Sequence, residues 1–241
     1  MSSRKEQKEA LRRERERREA EARSAQQRKR LFGLVGAVAI AAAAIVILVV
    51  VASGGGSGGN GDVQGSGNTF PEGGSIPEQK EFDLAAAAEA AGCELKNSKG
   101  VGAGVHTTDP NEKVNYRDNP PTNGRHYEVP VPDGLYNGTP PQDTELVHNL
   151  EHGRVIIWAK PDLPREARQQ IRALFDEDKY QMVVVARRNM PYAVAATAWN
   201  RDPLPNGTGR TLGCTQWNED VIDALRDFRD EHRSNGPEDI P

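Results

Sequence analysis

Histidine is scarce in this 241-residue chain, yet four of its five histidines fall between residues 106 and 152. Two of them, His148 and His152, are spaced i and i+4, and Glu151 lies between them. Residues with that spacing share one face of a helix, so both imidazoles could reach a single ion. Imidazole nitrogen and carboxylate oxygen are common zinc ligands. This segment therefore predicts a metal site.

The other two histidines of this region follow irregular segments that could aim them at the same ion. His126 ends the turn Asn119-Pro-Pro-Thr-Asn-Gly-Arg-His126, and His106 follows the glycine-rich stretch at 100–105. Four neutral imidazoles could form a tetrahedral zinc site or a copper site. The ligands of such a site would be His126, His148 and His152, with His106 as a fourth. Glu151 would be a hydrogen-bond partner of one ring. Met182 or Met190 could serve as soft donors to Cu(I).

Two other interpretations of the histidines remain open. Each ring could be structural, satisfying backbone groups of a polar loop or of a helix end. Alternatively, His148-x-x-Glu151-His152 fits the H-x-x-E-H pattern, in which two histidines bind zinc and the glutamate is the base of a hydrolase. The hydrolase also needs a third ligand from downstream, for which the sequence offers Glu166, Glu177 and Glu219.

Regular elements must hold these residues in place. A short helix is predicted from Thr144, as its cap, through His152, with Gly153 ending it. Apolar runs predict strands at 154–160, 181–187 and 193–199, and apolar periodicity predicts helices before Gly92, at 165–179 and after a cap at Asn218. This order predicts an α+β fold in which helices cover one face of one small sheet.

The two cysteines, Cys93 and Cys214, both lie in the C-terminal part of the chain. No C-x-x-C motif is present, so redox catalysis is disfavoured. A disulfide is predicted between them, with Cα atoms about 4.4–6.8 Å apart.

Charge and hydropathy divide the chain into unlike parts. Residues 1–30 contain 12 Lys and Arg against 6 Asp and Glu, whereas residues 53–241 carry a net charge of −10. Between them, residues 31–52 are uncharged and apolar, and as a helix they would span about 33 Å, enough to cross a bilayer. The chain is therefore neither a uniformly basic nucleic-acid binder nor a wholly soluble cytoplasmic enzyme.

The positive-inside rule orients this span. The basic arm at 1–30 is predicted to be cytoplasmic, residues 31–52 a single transmembrane helix, residues 53–80 a Gly- and Ser-rich linker, and residues 81–241 one domain outside the cell membrane. A cleaved signal peptide is the alternative, but both its basic and its apolar regions would be unusually long.

Two motifs resemble a known family when they occur together. They are Pro120-Pro-Thr-Asn-Gly-Arg-His126 and Val147-His-Asn-Leu-Glu-His-Gly153, with Gly134-Leu-Tyr136 between them. Over roughly residues 82–233 the chain resembles the domain-of-unknown-function family 3105. The family motif has Ser and Pro where this chain has Asn123 and Arg125, and both changes suit a turn. The resemblance implies a membrane-anchored exported domain and no established activity.

Together these features predict a membrane-anchored, extracytoplasmic domain that binds zinc or copper through its histidines. The alternatives are a structural or interaction module of the cell envelope without a metal, and the zinc hydrolase. The expected partners are the lipid bilayer, a metal ion and an unidentified protein of the cell envelope, and no nucleic acid.

Overall fold

The computed structural model describes residues 67–238, which form four helices and eight strands. The helices are α1 (Leu84–Ala90), α2 (Asp143–Glu151), α3 (Arg165–Glu177) and α4 (Val221–His232). The strands are β1 (Cys93–Lys99), β2 (His106–Thr107), β3 (His126–Tyr127), β4 (Gly134–Leu135), β5 (Val155–Ala159), β6 (Met182–Ala186), β7 (Val194–Asn200) and β8 (Thr208–Cys214).

Within residues 67–238, no helix combines the length and the apolar character that a membrane crossing requires. The predicted span at 31–52, the predicted arm at 1–30 and the linker up to residue 66 lie outside the described residues.

Six strands form one mixed sheet in the order β1-β8-β7-β5-β6-β4. Adjacent strands run antiparallel in the β1-β8-β7-β5 part of the sheet, whereas β5, β6 and β4 run parallel. The short strands β2 and β3 form a separate parallel pair. Every residue of the central strand β5 is buried, because both faces of the sheet are covered.

The two faces of the sheet carry separate hydrophobic cores. The first core includes Leu84, Ile171 and Phe228, so α1, α3 and α4 pack on one face. The second includes Leu146 of α2 and Trp199 of β7, so α2 covers the other face. Alternate residues of β5 enter different cores, as the pleat of a strand requires. The α+β class is confirmed, but the sheet has six strands and helices cover both of its faces.

Elements with a clear apolar pattern were predicted correctly. The predicted strands at 154–160, 181–187 and 193–199 are confirmed as β5, β6 and β7. The predicted cap at Asn218 was wrong, because α4 begins at Val221 and Asp220 is at its N-cap position. The Asn218 Oδ1 accepts a hydrogen bond from the Asp220 N–H at 3.0 Å, and its amide donates to the Ala91 carbonyl after α1.

The predicted disulfide between Cys93 and Cys214 is confirmed. The two residues are directly opposed partners in the antiparallel pairing of β1 with β8. Their Cα atoms lie 4.2 Å apart, just below the predicted range. The bond therefore closes a loop with a sequence separation of 121 residues at the edge of the sheet.

Part of the predicted linker at 53–80 packs against the domain. Phe70 is fully buried in the first core, and its backbone N–H donates a hydrogen bond to the Asn137 side chain at 2.7 Å. Arg168 of α3 donates a hydrogen bond to the Thr69 carbonyl at 2.6 Å. The folded part of the chain therefore begins earlier than the predicted boundary at residue 81, because one aromatic side chain in a polar segment finds a place in the core.

A candidate metal centre

The parallel pairing of β2 with β3 places two histidines side by side. His106 and His126 are direct partners in the register, and the His126 N–H donates to the Val105 carbonyl at 3.3 Å. Paired residues of neighbouring strands project to the same face of the sheet. The two imidazole centroids accordingly lie 4.6 Å apart.

Helix α2 supplies the facing side chains. Its first turn is held by Glu145, whose carboxylate accepts a hydrogen bond from the Gln142 N–H at 2.8 Å. The helix ends at Glu151, with His152 at the C-cap position and Gly153 at a φ of +78°. The predicted stop at Gly153 is confirmed. The predicted cap at Thr144 was wrong, because Thr144 is the second helical residue.

Backbone carbonyl oxygens fix the orientation of two imidazoles. The His126 Nδ1 lies 2.7 Å from the Gly124 carbonyl oxygen, and the His148 Nδ1 lies 2.7 Å from the Tyr127 carbonyl oxygen. Because a carbonyl oxygen only accepts, each Nδ1 carries the hydrogen and donates it. In the neutral ring, each Nε2 therefore presents a lone pair towards the interior of the cluster.

The Glu151 carboxylate lies among these nitrogens. Its Oε2 is 2.9 Å from the His126 Nε2 and 3.3 Å from the His106 Nε2. Its Oε1 accepts a hydrogen bond from the Gly104 N–H at 2.6 Å. The sequence suggested that Glu151 would bind the ring nitrogen that faces away from the metal. In the structure, backbone carbonyls bind those nitrogens, the Nδ1 atoms of His126 and His148, and Glu151 faces the Nε2 atoms of His126 and His106.

The cluster is almost entirely shielded from water. The side chains of His126 and Glu151 are 0% exposed, whereas His106 is 33% exposed and forms the open edge. Trp199 of the second core meets the His126 ring edge-on, with centroids 6.1 Å apart. A buried carboxylate oxygen that faces an acceptor nitrogen is an unfavourable arrangement unless a hydrogen or a cation lies between them.

Burial and neighbouring groups set the protonation states of the cluster. Burial of the ring lowers the pKa of His148 below its usual 6.5. Burial, together with the neighbouring His148 and Arg154, does the same to the pKa of His152. Burial alone would raise the pKa of Glu151, but its contacts with His126 and with the Gly104 N–H outweigh burial and lower that pKa. At pH 7, His148 and His152 are therefore neutral and Glu151 is ionised, and these are the protonation states that bind metals.

Two overlapping sets of side chains could hold a metal ion. The inner group consists of His106, His126, His148 and Glu151, and its potential ligand atoms all lie within 4.8 Å of one another. The outer group consists of His148, Glu151, His152 and Glu238, within the same limit.

The structure brings the four predicted histidines together, but not around one point. His152 is not a member of the inner group; its Nε2 lies 2.9 Å from the His148 Nε2, on the side facing Glu238. Met182, suggested as a soft donor, is buried in the first core on the opposite face of the sheet. Ligation by His126, His148, His152 and His106 itself stays a prediction.

None of the three glutamates that the sequence offered as the third ligand of a hydrolase belongs to either group of the described cluster; the downstream carboxylate in the outer group is Glu238. Glu177 pairs with Arg226 and Arg229 of α4 on the other face of the sheet. Glu219 lies 3.8 Å from Lys80, and Glu166 belongs to the first turn of α3. The Glu151 Oε1 accepts from the Gly104 N–H and its Oε2 faces His126 and His106, so no observation favours this residue as a base.

Glu238 is the residue of the cluster that the sequence did not reveal. It lies in the segment after α4, where no local pattern points to the distant α2. Its Oε2 is nevertheless 3.3 Å from the His152 Nε2. Only the path of the chain beyond α4 brings the two side chains together.

The fold and the site define a class of protein: an α+β domain whose buried histidine–glutamate cluster could hold a metal ion. The chain belongs to the family described as "Protein of unknown function (DUF3105)", whose model matches residues 107–240. The match confirms the resemblance of the two histidine motifs, and it begins one residue after His106. Neither the comparison with curated proteins nor that with solved structures found a match.

Proposed function

We propose that this protein is a membrane-anchored, extracytoplasmic metal-binding protein whose inner group binds one transition-metal ion. Zinc is the expected ion and copper(II) the second choice, because imidazole nitrogens and one carboxylate oxygen suit both. The proposed ligands are the Nε2 atoms of His126 and His148, a nitrogen of His106 and an oxygen of Glu151.

The juxtaposition of His126 and Glu151 carries the proposal. The His126 Nδ1 donates its hydrogen to Gly124, so a neutral ring turns a bare Nε2 lone pair towards the Glu151 Oε2, 2.9 Å away. Two acceptors at that distance repel each other, and both side chains are 0% exposed, so water does not screen them. A cation between them removes this repulsion, and the neighbouring Nε2 of His148 supplies a further metal ligand.

The shell around the proposed ligands also suits a metal centre. Ligating histidines generally donate their other ring hydrogen to a carbonyl or carboxylate, which fixes the ring and strengthens the ligand. Gly124 and Tyr127 do this for His126 and His148. Four ligand atoms from the protein would complete a tetrahedral zinc shell, which is typical of a closed site and not of an open catalytic site.

The anchoring part of the proposal depends on the sequence. The uncharged stretch at 31–52 is long enough to cross a bilayer, and the basic arm before it favours a cytoplasmic N-terminus. The Cys93–Cys214 disulfide agrees with a domain outside the cytoplasm, because such bonds persist in oxidising compartments.

Metal analysis of the full-length chain, purified in detergent without a polyhistidine tag, tests the proposal. Elemental analysis should find about one zinc or copper ion per chain after reconstitution and dialysis. The His126→Asn and His148→Asn variants should lose the ion. His232→Asn is the matched control, because His232 is also a buried histidine but belongs to neither group.

A wild-type chain that retains no ion and gains no stability from added zinc or copper would refute the proposal. His126 and Glu151 would then form a buried ion pair with a protonated ring, and the cluster would belong to a structural or interaction module of the cell envelope.

A further inference from the structure

The chain beyond α4 returns across the end of α2. The Ser234 N–H donates to the Gly153 carbonyl at 2.8 Å, and the Glu238 N–H donates to the Glu151 carbonyl at 3.1 Å. The Asn235 carbonyl accepts a hydrogen bond from the Arg201 N–H at 2.7 Å. Backbone hydrogen bonds therefore hold residues 234–238, which we call the C-terminal strap, against the helix end that carries His152.

A glycine makes this close approach possible. A Cβ atom at Gly236 would collide with the Glu151 carbonyl oxygen and with the Gly153 backbone nitrogen. The strap therefore lies directly on the α2–β5 turn, and its position is built into the sequence.

The strap carries the Glu238 carboxylate to the surface side of the histidines. The Glu238 Oε2 is 3.3 Å from the His152 Nε2, which in turn is 2.9 Å from the His148 Nε2. Glu238 is 33% exposed and His152 is 9% exposed, whereas His126 and Glu151 in the inner group are 0% exposed. The side chains thus form a graded series from solvent to the buried group.

We infer that the outer group is a second cation site, through which a metal ion passes to and from the inner group by way of His148. This inference rests on the proposed function and assigns His152 and Glu238 to uptake and release. The ion first binds Glu238 and His152, then exchanges these ligands for His126 and His106, while His148 and Glu151, which belong to both groups, stay bound.

The geometry allows only one ion at a time. The His148 Nδ1 donates to the Tyr127 carbonyl, so His148 offers a single free nitrogen, Nε2, which both groups need. The outer group is also the weaker site, because Glu238 is 33% exposed and water competes there for the ion. Arg154, which pairs with Asp133, also donates a hydrogen bond to the His152 carbonyl at 3.1 Å. A weak outer site and a strong inner site that share a ligand suit transfer and not simultaneous binding.

Stopped-flow absorption with Co²⁺, a coloured substitute for zinc, tests this inference on the full-length chain in detergent. The variants are Glu238→Gln, which removes the exposed charge, and His152→Asn, which removes a neutral ligand and leaves the charge unchanged. Both should slow Co²⁺ loading and chelator-driven release by about tenfold or more. The two substitutions should change the equilibrium affinity for Co²⁺ less than they change these rates. A transit site lowers the barriers to loading and to release alike, so removing it slows both.

Glu231→Gln is the matched control. Glu231 is an exposed glutamate at the end of α4, lies 4.0 Å from the buried His232, and belongs to neither group. Its substitution should leave both rates unchanged. Slowing in Glu238→Gln alone would indicate simple charge attraction and would overturn the inference, because a ligand role requires an effect of His152→Asn as well.

A third variant detects the outer site directly. His106→Asn removes the exposed ligand of the inner group, and Co²⁺ should then bind more weakly with an altered absorption band. This residual binding should disappear in the His106→Asn/Glu238→Gln double variant.

Unchanged rates in the Glu238→Gln and His152→Asn variants would show that ions load past His106. Two Co²⁺ ions per chain would show simultaneous binding. Either result overturns the inference and leaves the proposed function standing. A wild-type chain that binds no Co²⁺ would refute both.

Discussion

Replacing Glu151 by Gln should change the stability of the domain in opposite directions with and without metal. The substitution keeps the shape of the side chain but replaces one carboxylate oxygen by an NH₂ group. The new Oε1 can still accept from the Gly104 N–H, and the new Nε2 can donate to the bare Nε2 of a neutral His126. His106, which is 33% exposed, can adjust by changing its tautomer.

The magnitude in the absence of metal follows from the repulsion that the substitution removes. A buried polar atom without a partner costs about 1–3 kcal/mol. At pH 8 and without metal, Glu151→Gln should therefore be about 1–3 kcal/mol more stable than the wild type.

Added metal should reverse this order. At an ion concentration of about a hundred times the dissociation constant, binding stabilises the wild type by about 2.7 kcal/mol. Loss of the anionic ligand should weaken binding by about a hundredfold, which reduces the stabilisation at the same concentration to about 0.4 kcal/mol. The variant should therefore respond little to metal.

Denaturant unfolding of the full-length chain in detergent, followed by tryptophan fluorescence, measures these free energies. Each protein is unfolded at pH 8 with EDTA and again with excess zinc. Glu177→Gln is the control, because Glu177 pairs with Arg226 and Arg229 on the other face of the sheet. It should lower the stability equally under both conditions.

One result would refute the reasoning. If Glu151→Gln lowers the metal-free stability by about 3–5 kcal/mol, the wild type contains a buried ion pair between Glu151 and a protonated His126. An equal response of the wild type and the variant to zinc would likewise show that Glu151 does not bind the ion.

Three further predictions concern the rest of the chain. Loss of the disulfide in Cys93→Ser should lower the free energy of unfolding by about 4 kcal/mol, because the bond closes a long loop; calorimetry showing less than about 1 kcal/mol would contradict this. Burial, with acidic neighbours, raises the pKa of Asp227 from 3.8 to about 7, so its contribution to stability is fully present below pH 3.8 and is lost as the pH rises through about 7. Asp227→Asn should thus stabilise the protein by about 1–2 kcal/mol at pH 8 and not at pH 3, in denaturant titrations at the two pH values. Fractionation should find the intact chain in the membrane, with protease added outside removing the domain, whereas a soluble chain beginning near Ser53 would show that a signal peptide was cleaved.

The central part of the fold could be predicted because its elements have strong apolar patterns. The residues of β5 and β6 form continuous apolar runs, and α3 repeats its apolar residues with helical period. Strand β1, Cys93–Lys99, has mostly exposed side chains, and β8 contains two glycines and no apolar run. Their pairing depends on the antiparallel register that ends in the disulfide, a long-range relation that a local pattern does not express.

The site was predictable to the extent that it depends on helical spacing. The i, i+4 relation of His148 and His152 indicated a shared face, and the turn before His126 indicated a third ring near it. Spacing did not reveal that Glu151 faces the inward nitrogens, because that depends on which carbonyl groups hold the rings. Glu238 could not be inferred at all, since only the strap brings it to α2.

The parallel pairing of His106 with His126 has a consequence for the segment between the two strands. Residues 108–125 contain no helix or strand, and the two-residue strands β2 and β3 hold their ends together. An ion bound to both histidines would join these ends by a reversible cross-link, whereas the disulfide is a permanent cross-link at the edge of the sheet. Cleavage of this segment by a protease would therefore depend on the concentration of free ion around the protein, and the cleavage rate would report whether the ion is bound.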